Sequence, residues 1–126
     1  MYDVRIINNK AILFEDDNQV ENLEPYRKNG SIRYEFDDGS YVWINSFDNI
    51  GWYDSKGQYH RDGDMPAYIK TNGYMSYCKH GKFHRECGPA VIYSSGIENY
   101  CLMHKHYSKE DHANILNSNY GGIYHV

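Results

Sequence analysis

Polar and apolar residues alternate in short runs along most of this chain, which is the pattern of half-buried strands. The opening Tyr2-Asp3-Val4-Arg5-Ile6-Ile7 alternates, Asn8-Asn9 supplies a turn, and Ala11-Ile12-Leu13-Phe14 resumes the apolar pattern, which predicts a first hairpin. Residues 15–28 are acidic and polar, and they predict a connector with a turn of helix ending near Glu24, ahead of Pro25. Ser31-Ile32-Arg33-Tyr34-Glu35-Phe36 and Tyr41-Val42-Trp43-Ile44-Asn45 alternate on either side of an Asp-Gly turn and predict a second hairpin. Residues 46–51 look like an irregular link. Near the end, Ser108-Lys109-Glu110-Asp111 has an N-cap serine with an acid three residues on, so His112-Ala113-Asn114-Ile115-Leu116 should close a short helix. The tail from Asn117 onward, with Gly121-Gly122, carries no clear pattern.

Between these regions the chain repeats itself. Gly57 aligns with Gly81, His60-Arg61 with His84-Arg85, Pro66-Ala67 with Pro89-Ala90, Ile69 with Ile92, and Gly73 with Gly96. A third copy begins at Tyr100, and a degenerate earlier one is visible in the spacing from Gly39 to Trp43. A period of about two dozen residues marks stacked supersecondary units, none of which can bury an apolar face alone. Two-residue turns at Asn72-Gly73 and Ser95-Gly96 would set Ala67 opposite Cys78 and Ala90 opposite Cys101. They would also set Tyr68 with Tyr77 and Val91 with Tyr100 on the other face. Gly57 and Gly81 suit bends that need a positive φ, while Pro66 and Pro89 fix where the next strand begins.

Composition sharpens this picture. The 126 residues hold 14 Tyr, 11 Gly and a net charge of −4. Residues 1–51 carry 5 basic and 10 acidic side chains, whereas 52–108 carry 7 and 5 with five histidines besides. That polarity lacks the strongly cationic footprint of a nonspecific nucleic-acid binder. No signal-peptide pattern and no membrane-length apolar run is present, which predicts a cytoplasmic protein. Cys78, Cys87 and Cys101 make an odd count and are expected as reduced thiols.

The string His-Arg-Glu-Cys-Gly-Pro-Ala at 84–90, with His-Arg-Asp-Gly-Asp-Met-Pro-Ala at 60–67, resembles the short H-R-x-x-G-P-A repeats of MORN-like proteins from bacteriophages and giant viruses. The close, Lys105-His106-Tyr107-Ser108-Lys109-Glu110, is similar to the way such arrays lead into a helix. The first unit has an extra residue before Pro66, and His104 stands where glycine is usual. The resemblance implies a run of antiparallel hairpins and no catalytic residues.

The expected fold is therefore all-β: consecutive antiparallel β-hairpin repeats in an elongated twisted sheet with a short C-terminal helix. One domain is expected over 1–126, divided into an N-terminal hairpin and acidic connector (1–28), a degenerate hairpin unit (29–51), the hairpin repeats (52–108), and a helix and tail (109–126).

His60-Arg61-Asp62 has the letters of a kinase catalytic loop without a Gly-rich loop or Asp-Phe-Gly to accompany it. Because His-Arg recurs at one place in two units, Gly57, His60, Arg61, Pro66, Gly81, His84, Arg85 and Pro89 read as structural repeat residues. Cys78, His80, His84 and Cys87 approach zinc-ligand spacing, with Cys101, His104 and His106 nearby, but small thiols in a sheet core and histidines in turns explain them without metal. No cofactor is expected. Aromatics outside the repeat pattern, Trp43, Phe47, Trp52, Tyr59 and Phe83, together with the acidic Asp16 and Asp17, are the candidate binding residues. The expected function is a non-enzymatic protein-binding module: a phage or viral inhibitor of a host defence protein, such as an anti-CRISPR, acting in the host cytoplasm. The alternatives are a nucleic-acid-associated protein that stacks bases on sheet tyrosines, and a zinc-stabilised module.

Overall fold

The computed structural model describes residues 1–118 and is all-β with one short helix. Strands β1 (Tyr2–Ile7), β2 (Lys10–Glu15) and β3 (Asn18–Gln19) form a three-stranded sheet. A nine-stranded antiparallel sheet follows, built from β4 (Tyr26–Lys28), β5 (Ser31–Glu35), β6 (Tyr41–Ile44), β7 (Ile50–Tyr53), β8 (Tyr68–Ile69), β9 (Met75–Ser76), β12 (Val91–Ile92), β13 (Glu98–Leu102) and β14 (Lys105–Tyr107), in that spatial order. The short pair β10 (Cys78–Lys79) and β11 (Lys82–Phe83) stands apart as its own hairpin. Helix α1 (Lys109–Leu116) closes the described chain, and the Ser108 side chain accepts a hydrogen bond from the Asp111 amide at its N-cap, as the sequence predicts. The part of the tail beyond Ser118 lies outside the described residues.

Two corrections concern the N-terminal half. The connector forms no helix: it contributes β3, and then β4, which pairs with β5 across the turn Asn29-Gly30. The link at 46–51 is a tight turn followed by strand, because Asn45 Oδ1 accepts the amides of Phe47 and Asn49 and the chain enters β7 at Ile50. The subdivisions expected at 28/29 and 51/52 therefore cut through a hairpin and a strand.

Turn chemistry explains the register. Five loops share one form, with a positive-φ residue closing a three-residue turn: Gly39, Asp48, Gly57, Gly73 and Gly96. In each the fourth residue's amide donates back to the first residue's carbonyl, as from Gly73 to Lys70 at 3.1 Å and from Gly96 to Tyr93 at 2.9 Å. Paired positive-φ residues instead make two-residue turns at Asn8-Asn9, Asp16-Asp17, Asn29-Gly30, His80-Gly81 and Met103-His104. The loops at Gly73 and Gly96 are thus one residue longer than expected, and a one-residue slip changes every cross-strand partner. Tyr68 pairs with Ser76 and Val91 with Asn99, while Cys78 lies opposite Phe83 and Cys101 opposite His106.

Alternation then divides the main sheet into two faces. One carries the row Ile32, Ile44, Ile50, Ile69 and the row Tyr34, Val42, Trp52. Val4, Ala11 and Leu13 of the three-stranded sheet pack on it, so that Val42, Ile44 and Leu13 are at most 1% exposed. Farther along, the core shrinks to Ala90, Val91 and Cys101, flanked by Tyr74 and Phe83.

What holds the repeat half is a set of duplicated polar contacts. His60 Nδ1 accepts the His80 amide and His84 Nδ1 accepts the Met103 amide, each at 3.0 Å. Arg61 donates to the Pro66 carbonyl at 3.2 Å and Arg85 to that of Pro89 at 3.3 Å. The guanidinium of Arg61 lies over the Trp52 ring and that of Arg85 over the Tyr77 ring. Trp52 therefore occupies the place of Tyr77, not of Ser76, because the loop at Gly57 is longer than the turn at His80-Gly81. It is 7% exposed and packs in the core, so it belongs to the repeat pattern and not outside it, as the sequence suggests.

Candidate binding surface

The second face of the main sheet has no sheet packed on it among the described residues, and tyrosine covers it. Arg33, Trp43, Gly51 and Tyr68 share one cross-strand row, and Glu35, Tyr41 and Tyr53 share the next. Tyr59 bridges to Tyr53 from the following loop. Six rings then touch in succession: Tyr41–Tyr53 and Tyr53–Tyr59 at 4.8 Å, Tyr59–Tyr68 at 5.3 Å, Tyr68–Tyr74 at 6.1 Å, and Tyr74–Tyr93 at 5.7 Å between centroids. The first two pairs are stacked nearly parallel, and the last two meet edge to face. Arg33 caps Tyr41 at 3.7 Å, and the Lys70 ammonium lies near both Tyr68 and Tyr74.

Gly51 makes room for this strip. A Cβ there would come within 2.7 Å of the Tyr53 hydroxyl and 2.9 Å of its ring, so the ring can lie across the strand only where that strand has no side chain. Burial, then the hydrogen bond with Tyr59, push the Tyr53 hydroxyl well above the ordinary tyrosine range. The strip thus presents ring edges and hydroxyls, with Arg33 and Lys70 as the cations against it.

Tyr41 and Tyr53 also line a cleft of about 890 Å³ where the three-stranded sheet meets the main one. Its walls bring Tyr2, Phe36 and Trp52 together with the carboxylates of Glu35, Asp37, Asp38, Asp54 and Asp62. At one end the His60 and His80 rings stack with centroids 4.0 Å apart. Asp54 is buried, takes the Lys56 and Gln58 amides on Oδ1, and meets His80 Nδ1 through Oδ2 at 2.8 Å. Burial pushes its carboxyl up, but the His80 and backbone hydrogen bonds outweigh that and hold it below the ordinary aspartate value. His60 is lowered, chiefly by burial, despite the neighbouring Asp62.

The residues singled out from the sequence are dispersed. Tyr59 is in the strip, Trp43 shares its face and is 46% exposed, and Phe47 is 78% exposed in the loop beside it. Phe83 lies on another hairpin, stacked on His104. Asp16 and Asp17 occupy a two-residue turn, paired with the chain's first amine and with Arg5. Cys78 is buried, and burial pushes its thiol up to about 11. His80 faces Asp54, His84 is held between the Met103 amide and Glu86, and Cys87 is exposed. Among the described residues no group of three or more His, Cys, Asp or Glu side chains is placed to hold a metal ion. Sequence reasoning missed Tyr41, Tyr53, Tyr68, Tyr74 and Tyr93 as a site. Their alternate spacing was visible, but only the three-residue loops bring them to one face.

Comparison with protein-family models, with curated proteins and with solved structures finds no match to this chain. No helix among the described residues is long and apolar enough to cross a membrane.

Proposed function

We propose that this chain is a non-enzymatic protein-binding module that docks its partner on the tyrosine-paved face. The observation that supports it is the unbroken strip from Tyr41 to Tyr93 on a sheet face that carries no second layer among the described residues. Tyrosine offers a large, rigid contact area with a hydroxyl at its tip, which is why it is enriched where proteins meet. Nucleic acid is the second reading and is less favoured by this geometry. Tyr41, Tyr53 and Tyr59 stack on one another, so their π faces are already used where a base would need them. The resemblance of the repeats to those of phages and giant viruses makes an inhibitor of a host defence protein, such as an anti-CRISPR, the class we favour, acting in the host cytoplasm.

The test is capture from a bacterial host lysate, with and without nuclease, by the native chain and by a Trp43→Ser, Tyr93→Ser variant. Both residues are exposed, at 46% and 41%, so the variant should fold. One stoichiometric protein held by the native chain regardless of nuclease, and lost with the variant, is the expected result. Recovery of nucleic acid alone would contradict it.

A further inference from the structure

We infer that the cleft between the two sheets receives a Lys- or Arg-bearing peptide segment of the protein partner. This rests on the protein-binding reading above and extends it from the tyrosine strip into the adjoining cavity, since Tyr41 and Tyr53 belong to both.

Charge makes the first half of the case. Glu35, Asp37, Asp38, Asp54 and Asp62 line the cleft, and Arg61 is the one Arg or Lys among its lining residues. Arg61 is itself paired with Asp3, and of the five carboxylates Glu35 pairs with Arg33, Asp54 with His80 and Asp62 with Lys79, so among the described residues Asp37 and Asp38 give the opening its uncompensated negative charge. An anionic ligand would be repelled, and a cationic one drawn in.

The walls make the second half. Tyr2, Phe36 and Trp52 form a stacked aromatic series, with Tyr2 and Phe36 4.3 Å and Phe36 and Trp52 6.3 Å between centroids. Apolar ring edges beside carboxylates suit the apolar stem and charged head of Lys or Arg together. Trp52 is more than nine-tenths buried in this wall, and its indole Nε1 has no hydrogen-bond partner among the described residues. A buried donor without an acceptor is costly. A peptide brings carbonyl acceptors as well as cations, whereas a free polyamine brings cations alone, so the peptide is the occupant that answers both features.

The probes are a fluorescein-labelled (Arg-Gly)n peptide, its (Glu-Gly)n counterpart, and spermine as competitor, read by fluorescence anisotropy at low and at physiological salt. The Arg-Gly peptide should bind and weaken with salt, and the Glu-Gly peptide should not bind. Glu35→Gln with Asp37→Asn should weaken the Arg-Gly peptide about tenfold at low salt with an unchanged melting temperature. Equal affinity of the double variant, equal binding of the acidic peptide, or full displacement by spermine at matched charge would overturn the inference. If the peptide fails while lysate capture still depends on Trp43 and Tyr93, only the cleft assignment falls; if capture fails too, the protein-binding reading falls with it.

Discussion

The two faces of the main sheet are made by the same strands and solve opposite problems. On β6 and β7, Val42, Ile44, Ile50 and Trp52 point under the three-stranded sheet, while Tyr41, Trp43 and Tyr53, one residue out of phase, point away from it. The first set gains its stability by leaving water. The second is arranged ring on ring with nothing laid over it among the described residues. Substitutions on the covered face should therefore register as stability, and those on the tyrosine face as binding.

The largest expected effect is on the covered face. Trp52→Ala removes a buried ring that Phe36 stacks on and Arg61 covers, and should cost about 3–5 kcal/mol in a denaturant melt. A loss under ~1 kcal/mol would mean that the wall of the first core collapses readily around the gap. Next is Gly51→Ala, which sits on the tyrosine face but acts through packing. The new methyl would meet the Tyr53 ring at about 2.9 Å, displace it, and should cost roughly 1–3 kcal/mol while breaking the strip between Tyr41 and Tyr59. Near-neutral melting with intact partner capture would show that the strip does not depend on this approach. Smaller again, Tyr93→Ser should change stability by no more than ~0.5 kcal/mol, because the ring is exposed and lies at the end of the series. The same variant should weaken the partner by about 1–2 kcal/mol in a binding titration if it is part of the contact.

The smallest effect is a pH dependence at the seam between the faces. Because His60 has a folded value below 6.5, the unfolded chain takes up its proton first as pH falls. Stability from this group is complete above 6.5 and is lost as pH drops from there through the depressed value. Asp54 acts in the same sense at lower pH: its contribution is present above 3.8 and disappears as pH falls through its lowered folded value. A melting temperature that declines gently below pH 6.5, with a shallower decline in His60→Asn, is the expected record. An unaltered slope in that variant would assign the decline elsewhere.

Much of this arrangement was legible in the chain. The hairpin at 31–45, the two dozen-residue period and the serine cap before α1 all follow from local chemistry, since alternation, Asp-Gly and an acid three residues past a serine act within a few residues. The repeated His-Arg was recognisable as a pair, and its duplicated contacts to the next unit's turn and to the proline carbonyl give the pair its physical role. What could not be read was register. Asn72-Gly73 and Ser95-Gly96 are compatible with two- or three-residue loops, and that single residue decides whether Tyr68 shares a face with Tyr77 or with Tyr74. The same uncertainty at Gly57 hid Trp52 as the counterpart of Tyr77, which is why it read as an aromatic outside the repeat. The connector misled for a different reason: its acidic residues fit a helix start, but Asp16 and Asp17 adopt positive φ together and turn the chain into β3.

Hydroxyl-radical footprinting reads the tyrosine face directly, because oxidation reports the exposure of each tyrosine ring. With a captured partner bound, Tyr59, Tyr68, Tyr74 and Tyr93 should lose reactivity together while Tyr26, 64% exposed on the far edge strand, keeps its own. Protection of Tyr26 or of the residues of α1, with the strip as reactive as in the free chain, would contradict docking on that face.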